Sequence, residues 1–251
     1  ARGTRIRHKI GVILSKLLLI GIIVGGCAAV SFGVGAFKGI LASAPDISEV
    51  DVIPTGYSTK VLAADGSETA KLVAAGSNRQ YVTIDQIPED LQHAVVAIED
   101  ERFYDHNGID LKGIVRALVA DVRTRDFSQG ASTLTQQLIK NNVLNEQWAN
   151  ENDSNISKIE KMERQVQRKI QEQYLAIELE KKVNDKNWIL ENYLNAINLG
   201  QNTLGVGVAS ERYFGKDVSD LTLSECAVLA AITQNPSKSV SYTHLTLPTI
   251  A

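Results

Sequence analysis

The sequence predicts a mostly α-helical domain preceded by a single transmembrane helix and a short β-hairpin segment. Three observations carry this expectation. Residues 17–37 form an uncharged apolar run, apolar residues recur at helical spacing from Pro88 onward, and strand-like stretches are confined to about Tyr57–Ile84. With 251 residues, 44% of them apolar and 22% charged, the chain can fill one globular core after the membrane segment is set aside. Its 18 Gly and 5 Pro exclude a collagen-like or low-complexity chain, and its net charge of -3 excludes a protein that coats nucleic acid.

The apolar run LLLIGIIVGGCAAVSFGVGAF, about 21 residues, matches a hydrocarbon core of ~30 Å at ~1.5 Å rise per residue. Lys16 and Lys38 stand at its ends, where their stems can snorkel toward the headgroups. Arg2, Arg5, Arg7 and Lys9 precede it, while Asp46, Glu49 and Asp51 follow. The positive-inside bias therefore predicts a single-pass protein of the cell membrane, with a cytoplasmic basic tail at 1–16 and everything after the span on the extracytoplasmic face. The alternative is a signal peptide cleaved at Ala42-Ser43-Ala44. It is disfavoured by a run longer than the usual ~7–15 residues of a signal core and by Pro45 directly after the cut. Cys27 and Cys226 lie far apart without ligand-spaced partners, so both read as structural rather than as a disulfide or metal pair.

Residues 38–83 read as a linker and a small β-hairpin: Tyr57–Leu62, a turn at Asp65-Gly66, Thr69–Val73, and a third short strand at Gln80–Ile84. A helix follows, with Pro88 at its first position, Glu89 and Asp90 in its first turn, and Leu91, Ala94, Val95 and Ile98 on one face. Asp110 caps a second helix whose stripe is Leu111, Ile114, Val115, Leu118 and Val122. Further helices are expected from near Ser132, over roughly Ser157–Lys182, and from about Asn187 and Leu223, with Asn145–Ser157 as a loop. The last stretch, 240–251, shows neither period nor continuity and resembles the translation of a sequencing-library adaptor. It is read as a non-native tail, His244 is left out of the site on that ground, and Ala1 in place of Met is read as a missing start.

Three stretches could carry chemistry. In AIEDERFYDHNGID, Glu99, Asp100 and Glu101 crowd a helix end beside Phe103, His106 and Asp110. A carboxylate there, next to apolar Ile98, suits a general base, and the plainer alternative is a solvated acidic turn. In QGASTLTQQLIKN, Ser132 and Thr133 stand at a helix start whose free N–H groups attract anions. Thr133, Gln136, Gln137 and Lys140 share one face; an ordinary N-cap with an exposed polar face is the alternative. On the long helix, Lys161, Arg164, Arg168 and Glu172 form one stripe opposite Val166, Ile170, Tyr174 and Ile177. After Glu172 that stripe turns apolar with Leu175 and Leu179, so Glu172 sits where the charged face enters the core.

Together these stretches resemble the peptidoglycan glycosyltransferase family, the transglycosylase domains of class A penicillin-binding proteins and their monofunctional relatives. The resemblance spans roughly Ile84–Ser237, within a domain drawn at 84–239. Its first motif stands here as Glu99, Asp100, Phe103, His106, Gly108 and Asp110; its second runs from Gly130 through Gln137, with Lys140 following. The third is Arg168, Lys169 and Glu172, the fourth is ILENYLN ending at Asn195, and the fifth is LSECAVLAAITQNPS. Asn198, Leu204 and Asn202 depart from the commoner family pattern, which bears on details of the cleft rather than on the chemistry.

The resemblance implies a lysozyme-like helical lobe with a smaller apolar lobe at the membrane, and a reaction that polymerises lipid II into glycan with inversion and release of a lipid diphosphate. It implies Glu99 as general base on the acceptor hydroxyl and Glu172 as the second catalytic carboxylate. Lys140, Arg168 and Lys169 would bring charge to the diphosphate, and Thr133 and Gln137 hydrogen bonds. Asp100, Phe103, His106, Ser132, Gln136 and Asn195 complete the implied substrate site. No cofactor is firmly implied; a divalent cation, Mg2+ or Mn2+, at the diphosphate is left open. The implied partners are lipid II, the growing glycan chain, membrane lipid and other cell-wall synthesis proteins, with no nucleic acid. A hydrolytic lytic transglycosylase, which needs no diphosphate site, is opposed by the basic stripe and Lys140. An inactive scaffold is opposed by the presence of both Glu99 and Glu172. The chain contains neither Ser-x-x-Lys nor Lys-Thr-Gly, so no penicillin-binding site is expected within it, and it is read as the N-terminal part of a class A protein.

Overall fold

The computed structural model describes residues 2–48, 52–73, 78–124, 130–145, 148 and 156–234. The stretch 240–251, the end of the fifth motif at Asn235–Ser237 and most of the loop expected at Asn145–Ser157 lie outside them.

The chain divides into two units, residues 1–44 and 45–251. The first is a single helix, α1 (Arg2–Ala42), which extends past both ends of the apolar run. Its part from Lys16 to Ala42, 27 residues with none of the apolar window buried, is long and apolar enough to cross a membrane. Cys27 is exposed on it, while Cys226 is buried in the second unit, and both are free thiols.

The second unit opens with the hairpin, β1 (Thr59–Leu62) antiparallel to β2 (Glu68–Leu72), paired from Thr59↔Leu72 to Leu62↔Glu68 with an irregularity after Val61. The third strand expected at Gln80–Ile84 does not form. Arg79 makes one isolated bridge to Leu204, and a 3-10 turn occupies Ile84–Gln86. The backbone of Val82 is instead satisfied by a side chain: its N–H donates to Asn195 Oδ1 at 2.9 Å and its carbonyl accepts from Asn195 Nδ2 at 2.8 Å. A side-chain amide thus takes the place of a neighbouring strand.

Seven helices follow among the described residues. In α2 (Glu89–Glu99) Pro88 is the residue before the first turn rather than within it, and Leu91 and Val95 are fully buried. α3 (Leu111–Thr124) departs from expectation. Its apolar stripe faces outward, with Leu111, Val115, Leu118 and Val119 exposed while Gly113 and Ala117 face inward. α4 (Leu134–Ile139) is short, buried along most of its length, and continues into one π-helical turn at Lys140–Leu144. α5 (Lys158–Val183) is capped by Ser157 and ends at Asn184 in the left-handed region.

α6 (Lys186–Ala196) starts at Asp185, whose carboxylate accepts from the N–H groups of Asn187 and Trp188. α7 (Val206–Phe214) was not expected from the sequence. It starts after Gly205, where φ is +83° and a Cβ would lie 2.8 Å from the Asn195 carbonyl oxygen. α8 (Leu223–Gln234) closes the described chain. The core gathers Leu134, Leu138 and Ile139 of α4 with Leu190 and Leu194 of α6, while α2 and α8 pack through Leu91, Val95 and Leu229. Burying each such side chain contributes on the order of 1.5–3 kcal/mol, and the elements so fixed carry the candidate site.

Candidate active site

Glu99 is the last residue of α2, with its side chain turned toward α4 and α8. Gln137 Nε2 of α4 donates to Glu99 Oε2 at 2.8 Å, and Thr233 Oγ1 of α8 donates to Glu99 Oε1 at 2.5 Å. Both carboxylate oxygens are thereby oriented. Thr233 is a site residue that sequence reasoning missed, because it lies late in a helix with no charge or glycine near it.

Asp100, the next residue, turns inward and is 6% exposed. Its Oδ2 accepts from the Leu134 backbone N–H at 3.0 Å, and its Oδ1 lies 2.9 Å from His106 Nε2. A carboxylate on the first N–H of a helix satisfies one of the orphan donors there and complements the helix dipole. Asp100 and His106 thus fasten the Glu99 corner to the start of α4, and Asp100 also borders a smaller cavity of about 260 Å³ beside Glu99, together with Ser132 and Thr133. Phe103 is likewise fully buried, with the ammonium of Lys186 4.5 Å from its ring centre. Asn195 is 1% exposed, with its amide spent on Val82 and the Glu191 carbonyl, so it too stands outside the cleft.

The second motif is tied to the first through Gly108. The Gly108 carbonyl oxygen accepts from Thr133 Oγ1 at 2.8 Å and from Gln136 Nε2 at 3.2 Å. Gly108 has φ +86°, and a Cβ there would come within 2.6 Å of the Ala176 carbonyl oxygen on α5, so only glycine fits. Thr133 is the N-cap of α4, its hydroxyl accepting from the Gln136 N–H at 3.2 Å. The same hydroxyl oxygen serves as cap acceptor and inter-loop donor, so Thr133 is a framework residue.

The charged stripe of α5 converges on Glu172, whose side chain is 2% exposed. Arg168 Nη1 donates to Glu172 Oε1 at 2.5 Å, and Lys169 Nζ to Glu172 Oε2 at 2.9 Å and to Ser132 Oγ at 2.6 Å. A carboxylate this deeply buried is costly unless paired, and its two partners supply that pairing. Nearby, Arg102 pairs with Asp110 and holds its carboxyl below the usual range. Burial, with the charges of Glu99 and Asp100 adding to it, pushes the Tyr193 phenol well above its ordinary value.

A cleft of about 580 Å³ runs between these groups. Glu99, Gln137 and Thr233 line it together with Lys140, Arg168 and Lys169 and with Ser132, Gln136 and Glu172. Of the expected site residues, Glu99, Ser132, Gln136, Gln137, Lys140, Arg168, Lys169 and Glu172 line this cleft, Asp100 and Thr133 border the smaller cavity beside it, and Phe103, His106 and Asn195 line neither. Three cations face the cavity with two carboxylates, an arrangement suited to binding an anion. Among the described residues no three His, Cys, Asp or Glu side chains converge as a metal site, and Glu172 already carries two cationic partners.

Residues 65–248 match the family model described as Transglycosylase. The chain is 40% identical over 227 residues to penicillin-binding protein 1A of Clostridium perfringens strain 13, covering 88% of this chain and 31% of that protein. It is 39% identical over 204 residues to penicillin-binding protein 1A of Escherichia coli K12, covering 81% of this chain and 22% of that protein. The chain thus spans a third or less of the length of these relatives.

Proposed function

The chain belongs to the transglycosylase family, the peptidoglycan glycosyltransferase domain of class A penicillin-binding proteins, and on that premise we propose that it polymerises lipid II into β-1,4 glycan with release of undecaprenyl diphosphate. The observation that supports this reading is the cleft itself, in which a carboxylate held by Gln137 and Thr233 shares the lining with Lys140, Arg168 and Lys169.

Glu99 takes the proton from the 4-hydroxyl of the acceptor N-acetylglucosamine as that oxygen attacks the anomeric carbon of the lipid-linked glycan. The C–O bond to the diphosphate breaks as the new one forms, so the anomeric centre inverts and no covalent enzyme intermediate is needed. The pair of electrons leaves on the diphosphate, whose growing charge meets Lys140, Arg168 and Lys169 already in place. Glu172 holds Arg168 and Lys169 in that orientation through its two ion pairs. Ser132 supplies a hydroxyl on Lys169, and Gln136 shapes the floor. A divalent cation, if bound, would neutralise diphosphate charge and would draw its ligands from the diphosphate itself.

The membrane placement fits the substrate. The Lys16–Ala42 helix would anchor the chain with its basic N-terminus in the cytoplasm and the cleft outside. The outward apolar residues of α3, with Ile159, Met162 and Val166 of α5, would meet acyl chains.

The test is to incubate the detergent-solubilised chain with labelled lipid II, separate polymer from monomer and digest the polymer with a muramidase. Muramidase-sensitive polymer is expected from the wild type, falling by orders of magnitude in Glu99→Gln while lipid II binding persists. Unchanged turnover in Glu99→Gln would remove that residue from its role.

A further inference from the structure

We propose that Tyr193 is a positioning residue for Glu99, acting through the side-chain amide of Gln137. The inference rests on Glu99 being the general base. Tyr193 belongs to α6, is 1% exposed and is not part of the cleft lining. Its hydroxyl donates to Gln137 Oε1 at 3.2 Å, and Gln137 Nε2 in turn donates to Glu99 Oε2 at 2.8 Å.

The direction of both bonds follows from the chemistry of the groups. An ionised carboxylate only accepts, so Gln137 must turn its NH2 toward Glu99 and its carbonyl oxygen away from it. That oxygen then faces Tyr193, which must be the donor. The buried phenol keeps its proton, since burial and the charges of Glu99 and Asp100 oppose its ionisation. An amide flipped by half a turn would set an oxygen against the Glu99 carboxylate, and the Tyr193 hydroxyl excludes that orientation.

Thr233 Oγ1 secures the other oxygen of Glu99 at 2.5 Å, so the Tyr193 relay and Thr233 together fix the plane of the carboxylate. A base whose plane is fixed meets the acceptor hydroxyl in one direction. This arrangement accelerates the chemical step without tightening substrate binding.

Tyr193→Phe, Gln137→Leu and the double variant test this on the full chain, with kcat and KM for lipid II measured beside thermal stability and beside Glu99→Gln. Tyr193→Phe is expected to lower kcat about three- to tenfold, the scale of one neutral hydrogen bond. Its KM should stay within about twofold and its Tm within about 3 °C. In the Gln137→Leu background the same substitution should have no further effect on kcat, because the relay is already cut.

Full kcat in Tyr193→Phe, or losses that multiply in the double variant, would overturn the relay. So would a Tyr193→Phe protein that loses its fold, since the hydroxyl would then be holding α6 rather than Glu99. Polymer made by Glu99→Gln would take down the general-base reading and the relay with it. Polymer lost in Glu99→Gln but made at full rate by Tyr193→Phe would take down the relay alone.

Discussion

Lys169 Nζ lies 2.6 Å from Ser132 Oγ, joining the long helix α5 to the start of the second motif across 37 positions of sequence. The same ammonium is 2.9 Å from Glu172 Oε2. Lys169 thus links three requirements: the pairing of a buried carboxylate, the placement of a loop and the charge of the cleft.

Replacing Lys169 by Met keeps the stem and removes the charge. KM for lipid II should rise about tenfold or more, as expected for a lost charge-assisted contact to a diphosphate. Tm should fall by a few degrees, because Arg168 remains to pair Glu172. Steady-state polymerisation assays and a thermal melt check both, and an unchanged KM would place the diphosphate elsewhere.

Gly108→Ala should destabilise the fold by about 2–4 kcal/mol, since a Cβ there would meet the Ala176 carbonyl in a backbone conformation that costs non-glycine residues extra. A urea titration should show the midpoint lowered with little change in slope. An unshifted midpoint would mean that α5 can move away from this corner freely.

Glu225 titrates at about 2, lowered from 4.5 chiefly by the Thr222 backbone N–H, then by Lys216 and the Thr222 hydroxyl. A depressed folded value contributes stability that is present above the unfolded value and is lost as pH falls through the folded one. The Tm gap between wild type and Glu225→Gln should therefore be full at neutral pH and close between about pH 5 and pH 2. A gap that does not change with pH would assign the effect to shape rather than to charge.

The sequence foretold what depends on local rules. The 3.6-residue period and the long apolar run placed α1, α2, α5 and α8 to within a few residues, apart from the extension of α1. The entry of the α5 stripe into the core at Glu172 was legible as well, since Leu175 and Leu179 continue the same face and both are buried. What escaped depends on partners distant in sequence. The stripe of α3 has a helical period, but the period says nothing of which face is covered, and Leu111, Val115 and Leu118 lie outward. The strand pattern at Gln80–Ile84 was misleading because an amide from α6 satisfies Val82. Glu99 and Asp100 are adjacent acids in one motif, and only the direction of each side chain separates the one that lines the main cleft from the one that caps the first N–H of α4.

One atom in this molecule is a shared reference point. The carbonyl oxygen of Gly108 receives Thr133 and Gln136, while the missing Cβ of the same residue makes room for Ala176. Three stretches far apart in the chain are therefore parts of one joint, and none can be exchanged without the others. In recombination between relatives, crossovers falling between positions 108 and 176 would mix surfaces that were never fitted together. Crossovers outside that interval would carry the joint across whole. The unit of inheritance for this site is accordingly a continuous block of chain, larger than any of the motifs by which it is recognised.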